Sequence, residues 1–246
     1  MKIAVITAMP EEFSAVYRCL EPGAAMQLAR LKAFSSHTCG HDVIVLESGM
    51  GFDNAARATA AVIREERPDL LISVGFCGGI DPELQTGDVV VAKHMVIVAG
   101  EGVEEVPVLF SAAGQTFVAR QAGTRVFGGM FASTPVIMSK TRLAGMLPAK
   151  SPFPVVEMES AAIAIIAVEN RIPLLALRAV TDPASEELGF SLDEFCDVRM
   201  RIRPHRVLLT ILRKPRIIPQ LIRLARNSRA AAHRLTAAME QLLPLV

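Results

Sequence analysis

At 246 residues, 51% apolar and 21% charged, the chain has enough apolar mass for one large core and too much of it for global disorder. No apolar run approaches the roughly 18–20 residues of a membrane-spanning helix, and the absence of Trp beside a single Tyr speaks against stacking platforms for single-stranded nucleic acid. The formal charge of +1 conceals an asymmetry: eleven Lys/Arg lie between Asp197 and Glu240 with no acid among them, leaving residues 1–197 with 15 basic and 24 acidic side chains.

Short apolar, β-branched runs alternate with alanine-rich helical patterns, the signature of an α/β layer fold. Lys2–Thr7 (KIAVIT) reads as an opening strand, and Pro10-Glu-Glu starts a helix running to about Leu20. Lys2 is followed only by the short run Ile3–Met9 before Pro10, Glu11 and Glu12, so no secretory leader is expected. His41–Glu47 is a second strand, ending in Ser48-Gly-Met-Gly51, and Phe52–Glu66 is helical up to the stop at Pro68. Asp69–Val74 is a buried strand leading into Gly75-Phe-Cys-Gly-Gly79, and Val89–Val98 is a further strand after the Gly87-Asp88 turn.

Residues 99–124 read as a loop or strand pair, Arg125–Met138 as strand, and Thr141–Leu147 as a short helix. Pro154–Met158 is a strand running into the helix Glu159–Asn170, and Pro173–Val180 is the last core strand. Beyond Asp197, Leu221, Leu224, Ala231, Ala232, Leu235, Met239 and Leu242 keep a helical period, with Arg223, Arg226, Arg229 and Arg234 largely off the stripe. This cationic amphipathic helix fits packing on its own domain or a second subunit, docking on an anionic membrane surface, or nucleic acid, the last disfavoured by the acidity of the remainder. The expected architecture is one α/β domain over residues 1–197, a three-layer sandwich around a central, mixed, twisted sheet, with residues 198–246 as a basic helical extension. Cys19, Cys39, Cys77 and Cys196 are scattered, without a CxxC pair or zinc-ligand spacing, and read as reduced thiols of a cytosolic protein.

Glu157 and Glu159 interrupt the apolar run Val155–Ala167, where an ionised carboxylate needs partners or a proton. A helix N-terminus accounts for one such acid; two acids flanking Met158 at a strand-to-helix switch point to a ligand site. Arg178, inside an apolar strand, wants an anionic partner that these acids could supply. Asp182 before Pro183 is by itself an ordinary turn or helix-cap residue. The two glycine-rich segments match neither a dinucleotide fingerprint nor a phosphate loop, and read as tight turns or close backbone approach to a ligand.

The order of these segments is more specific than any one of them. Met1–Glu12, Ser48–Gly51, Gly75–Gly79 with Gly87-Asp-Val-Val-Val91, Val156-Glu-Met-Glu159 and Arg178 with Val180-Thr-Asp182 resemble the 5′-methylthioadenosine/S-adenosylhomocysteine nucleosidases of the nucleoside phosphorylase superfamily, over roughly residues 1–185. The resemblance implies that Asp182 hands a proton to N7 of a leaving purine, and that Glu12 is the base acting on the attacking water, with Arg178 nearby. It implies that Glu159 binds the ribose hydroxyls and Met158 packs on the sugar. Val136 and Ile137 would lie along the base, Ile137 offering backbone hydrogen bonds, and Phe76 stands beside the nucleophile where the family has a small Ser. No metal or organic cofactor is implied, and a cytoplasmic homodimer is.

N-glycosidic cleavage passes through an oxocarbenium-like state in which one carboxyl serves as acid and another prepares water. Hexameric phosphorylases of the superfamily carry an Arg after the first strand to hold phosphate; here Pro10-Glu-Glu12 places acids there, which favours water over a phosphate dianion. Phe76, Val136 and the cationic tail depart from the nucleosidase pattern. They keep open a phosphorylase, a non-catalytic nucleoside-binding protein, and a hopanoid-associated nucleosidase acting on a lipid-linked purine nucleoside such as adenosylhopane, peripheral at the inner membrane face.

Overall fold

The computed structural model describes residues 1–186 apart from Ala122 and Ile137, then Phe195, Val207, Leu209, Thr210 and residues 213–246. Ten strands and six helices are described: β1 Lys2–Thr7, α1 Pro10–Tyr17, β2 Gly23–Leu28, β3 Leu31–Thr38, β4 His41–Glu47, α2 Phe52–Glu66, β5 Leu70–Gly79, β6 Val89–Ala99, β7 Gly102–Glu105, α3 Ala112–Arg120, β8 Val126–Ser133, α4 Lys140–Met146, β9 Val155–Glu157, α5 Ser160–Glu169, β10 Leu174–Asp182 and α6 Ile218–Leu242.

The strands form one mixed sheet in the order β10-β6-β8-β9-β5-β1-β4-β3-β2, with β7 hairpinned onto β6. β1 runs parallel to β4 and β5, and β5 parallel to β10, whereas β6 is antiparallel to β10 and β9 antiparallel to β5. Because β10 pairs with both β6 and β5, that half of the sheet curls into a closed ring of five strands. The other half stays open through β1, β4, β3 and β2.

Alternation along β1 divides the core into two layers. Ala4 and Ile6 face α2 and α5, while Ile3 and Val5 face α1, α3 and the C-terminal half of α6. Small residues let α2 lie close: Ala55, Ala58 and Ala61 are buried beside Ala161, Ala164 and Ala167 of α5. On the opposite side Ala231, Ala232, Leu235, Ala238, Met239 and Leu242 of α6 close over Phe13 and Val16 of α1, and Thr236 Oγ1 donates to the Ala15 carbonyl at 2.9 Å. That half of the cationic helix therefore packs on its own domain. No helix among the described residues is long and apolar enough to cross a membrane.

Several boundaries differ from the sequence reading. The stretch 99–124, expected as a loop or strand pair, contains the short β7 and then a true helix, α3, capped by Ser111, whose side chain accepts from the Ala113 N–H. β8 ends at Ser133, not Met138. The segment Gly75–Gly79, expected as a tight turn or a place of close backbone approach, is not a turn but continues β5 and pairs with β10 and β9. The hairpin β2–β3 received no assignment from the sequence.

Candidate active site

The site is assembled where β1, β4, β9 and β10 end, around the far part of β5. Directly after β1, Pro10 opens α1 and puts Glu12 in its first turn, where the carboxylate folds back on the helix N-terminus. Its Oε2 accepts from the Ala8 and Met9 N–H groups at 2.8 and 2.9 Å, and its Oε1 accepts from the Phe76 N–H of β5 at 2.8 Å. Glu12 is buried. Burial raises its pKa above the usual carboxylate range, against the opposing pull of Arg178 and the three amides. Gly75 is required by this approach, since a Cβ there would lie 2.8 Å from Glu12 Oε1.

Arg178, in the middle of β10, is only 2% exposed. One terminal nitrogen donates to Glu157 Oε2 at 2.8 Å, to Ser160 Oγ at 2.9 Å and to Ser73 Oγ at 3.0 Å. Glu157 Oε2 also accepts from the Glu159 and Ser160 N–H groups at the start of α5, and Ser133 Oγ donates to Oε1. Burial alone would raise the Glu157 pKa, but Arg178 and these donors hold it below the usual range. Glu157 is thus the structural acid of the pair, the anionic partner of Arg178 and the anchor of the α5 N-terminus.

Glu159 is set differently. Its Oε1 accepts from the Gly51 N–H at 2.7 Å and Oε2 from the Met158 N–H at 3.3 Å, and it is only half-buried. Burial and the neighbouring Glu157 push its pKa up to about 7. Gly51 holds φ +92, a left-handed conformation that lets the loop after β4 present its N–H to this carboxylate. Met158 lies with Met50, Gly51 and Pro135 on the wall of a cavity of about 930 Å³ that runs along α2.

Asp182 ends β10, buried. Thr181 Oγ1 donates to its Oδ1 at 2.6 Å, and Lys140 Nζ stands 2.5 Å from its Oδ2. Nothing in the sequence marks Lys140, which lies just ahead of the helix read from Thr141 and whose partners come from a distant strand. Gly78 makes room for the pair: a Cβ there would come within 2.9 Å of Lys140 Cε and 3.0 Å of Asp182 Oδ2. Phe76 is half-buried and contributes its backbone N–H to Glu12, while its ring packs against the layer beneath α1. Val136 is 62% exposed on the connection from β8 to α4, and Ile137 lies outside the described residues. The structure therefore brings Glu12, Phe76, Glu157, Glu159 and Arg178 into one hydrogen-bonded and electrostatically coupled group, with Asp182 on the neighbouring stretch of β5 and β10.

The chain matches the family described as the phosphorylase superfamily over residues 2–213. It is 31% identical over 213 residues to the 5′-methylthioadenosine/S-adenosylhomocysteine nucleosidase of Bacillus thuringiensis, a match covering 80% of this chain and 92% of that protein. Two solved structures share the fold. The Neisseria meningitidis nucleosidase in complex with methylthio-immucillin-A superposes with a TM-score of 0.74 at 24% identity, covering 100% of this chain and 99% of the other. The Helicobacter pylori futalosine hydrolase gives 0.75 at 16% identity, covering 100% and 98%. This chain belongs to the phosphorylase superfamily, alongside the 5′-methylthioadenosine/S-adenosylhomocysteine nucleosidases.

Proposed function

We propose that the protein is an N-glycosyl hydrolase that releases adenine from a 5′-substituted adenosine of the methylthioadenosine/adenosylhomocysteine type, with water as nucleophile. The observation that carries this is the unequal fate of the acids around one guanidinium. Arg178 is committed to Glu157 at 2.8 Å, while burial raises the proton affinity of Glu12 against the pull of Arg178, so that Glu12 is suited to take a proton from water. The same commitment leaves little positive charge for a phosphate dianion, and Glu12 itself repels one.

In this reading Glu159 accepts from the ribose hydroxyls, Met158 packs on the sugar, and the backbone near Val136 and Ile137 borders the purine. Asp182 protonates N7 as the C1′–N9 bond breaks, its electrons passing to the base while hydroxide from water closes on C1′. The division of labour is that residues 1–197 carry the chemistry and residues 198–246 form the extension. The protein is taken as a cytoplasmic homodimer, a state that sedimentation equilibrium reads directly.

The primary test is adenine release from methylthioadenosine with and without phosphate. Equal rates in both, with loss in Asp182→Asn, are expected; a phosphate requirement with ribose 1-phosphate as product would make the protein a phosphorylase. A pH dependence follows from Glu159. Its carboxylate, the better hydroxyl acceptor, persists only above about pH 7, so KM rises as pH falls below that value, and Glu159→Gln abolishes the pH dependence while raising KM throughout. A KM that stays flat between pH 8 and 6 in the unmodified enzyme would remove Glu159 from the ribose site.

The N-terminal half of α6 supports a peripheral membrane contact as part of this reading. Ile218 and Ile222, one turn apart, are 39% and 58% exposed, beside the exposed Arg216, Arg226 and Arg229. An apolar pair fringed by cations matches an anionic bilayer surface, which would suit a lipid-linked 5′ substituent. Because residues 231–242 belong to the core, point variants are the proper test and truncation is not. Sedimentation with anionic vesicles should be lost in Ile222→Glu/Arg226→Glu and in high salt; equal partition onto zwitterionic vesicles, or none onto anionic ones, would end the membrane reading.

A further inference from the structure

Lys140 is 6% exposed and sits on no element that carries the other site residues. Its Nζ donates to the carbonyl oxygens of Asp182, Pro183 and Glu186 at 2.9, 2.8 and 2.9 Å, and lies 2.5 Å from Asp182 Oδ2. An ammonium has three protons, and four oxygens already surround this one, so no donor is left to meet a substrate. A buried cation is tolerated only when so paired. The backbone that delivers it is itself fixed, because Lys140 is the first residue of α4, capped by Ser139.

The geometry fixes Asp182 from both sides. Thr181 holds Oδ1 and Lys140 holds Oδ2, so the plane of the carboxyl cannot turn, while the three carbonyls tie the chain leaving β10 to the same nitrogen. The pair stands beside Gly78, where any side chain would displace both members. We propose that Lys140 is the positioning residue of the proton-donation step: it acts through Asp182, aiming the carboxyl at the leaving base, and touches neither base nor sugar. This rests on the nucleosidase reading, in which Asp182 takes up a proton from solvent before each turnover and its O–H bond breaks as the N7–H bond forms.

The test uses leaving groups that differ in their need for that proton. Adenine needs protonation to depart; 4-nitrophenolate, from the 4-nitrophenyl glycoside of 5-methylthioribose, leaves as a stable anion. Lys140→Met is expected to lower kcat for adenine release about 10²-fold, the cost typical of a small misplacement of a reacting group, and to change 4-nitrophenolate release by less than about threefold. Added to Asp182→Asn, which leaves no unpaired buried charge in the double variant, Lys140→Met should cause no further loss of adenine release. Equal losses on both substrates, multiplicative losses in the double variant, or undiminished adenine release by Lys140→Met would each overturn the positioning role. An unmodified enzyme that releases neither product would overturn the nucleosidase reading and this inference with it; one active on both, with Lys140→Met undiminished on adenine, would overturn the inference alone.

Discussion

Glu12→Gln is expected to lower adenine release from methylthioadenosine by about 10²–10⁴-fold, the range typical of a lost proton-transfer group. The carboxylate is positioned by three backbone N–H donors, from Ala8, Met9 and Phe76, and so needs no side-chain partner to hold its orientation. Burial makes it a better proton acceptor than a free carboxylate, against the opposing pull of Arg178 and the three amides. The Gln side chain has the same size but cannot accept a proton from water, and its NH2 must face at least one of those three donors. Turnover should therefore collapse with a modest fall in melting temperature, both measurable on one preparation. Retention of more than about a tenth of the activity would assign the base elsewhere.

The second large effect concerns stability. Arg178→Met should destabilise the fold by about 3–5 kcal/mol, the cost of stranding a buried charge, which for a domain of this size corresponds to a melting temperature lower by about 6–20 °C. The stranded group is Glu157, buried at the start of α5 and left with only Ser133 and two helix N–H groups as partners. Arg178→Met/Glu157→Met removes both charges and should recover much of that loss, since an apolar pair of similar volume fills the same place. If thermal unfolding shows the double variant no more stable than Arg178→Met, the pair is not what sets the stability of this region.

Much of this was legible in the sequence where a residue broke the pattern around it. Glu157, Glu159 and Arg178 stood out as charges in apolar runs, and the structure gives each its partners: Glu157 is the helix-terminal acid and partner of Arg178, and Glu159 accepts from the Gly51 N–H of the loop after β4. What stayed hidden had no local signature. Lys140 gains its meaning from Asp182, 42 positions away, and looks ordinary among its neighbours. The glycines of Gly75–Gly79 left a turn and a close approach both open, because their actual constraint, the side chains of Glu12, Lys140 and Asp182 pressing on the strand, comes from other elements. The hairpin β2–β3 escaped because Gly23–Leu28 is mostly exposed and begins with Gly and Ala, which carry little strand preference.

The docking of α6 on α1 has a consequence for the order in which the molecule is made. The apolar face of the helix bearing Glu12, Phe13 and Val16, is covered by Leu235 and Met239, which are translated more than two hundred residues after it. A nascent chain can pair β1 with β4 and β5 well before it can bury that face. The helix that carries the proposed base is thus secured late in biogenesis, and until then the growing polypeptide presents the sticky surface that chaperones bind.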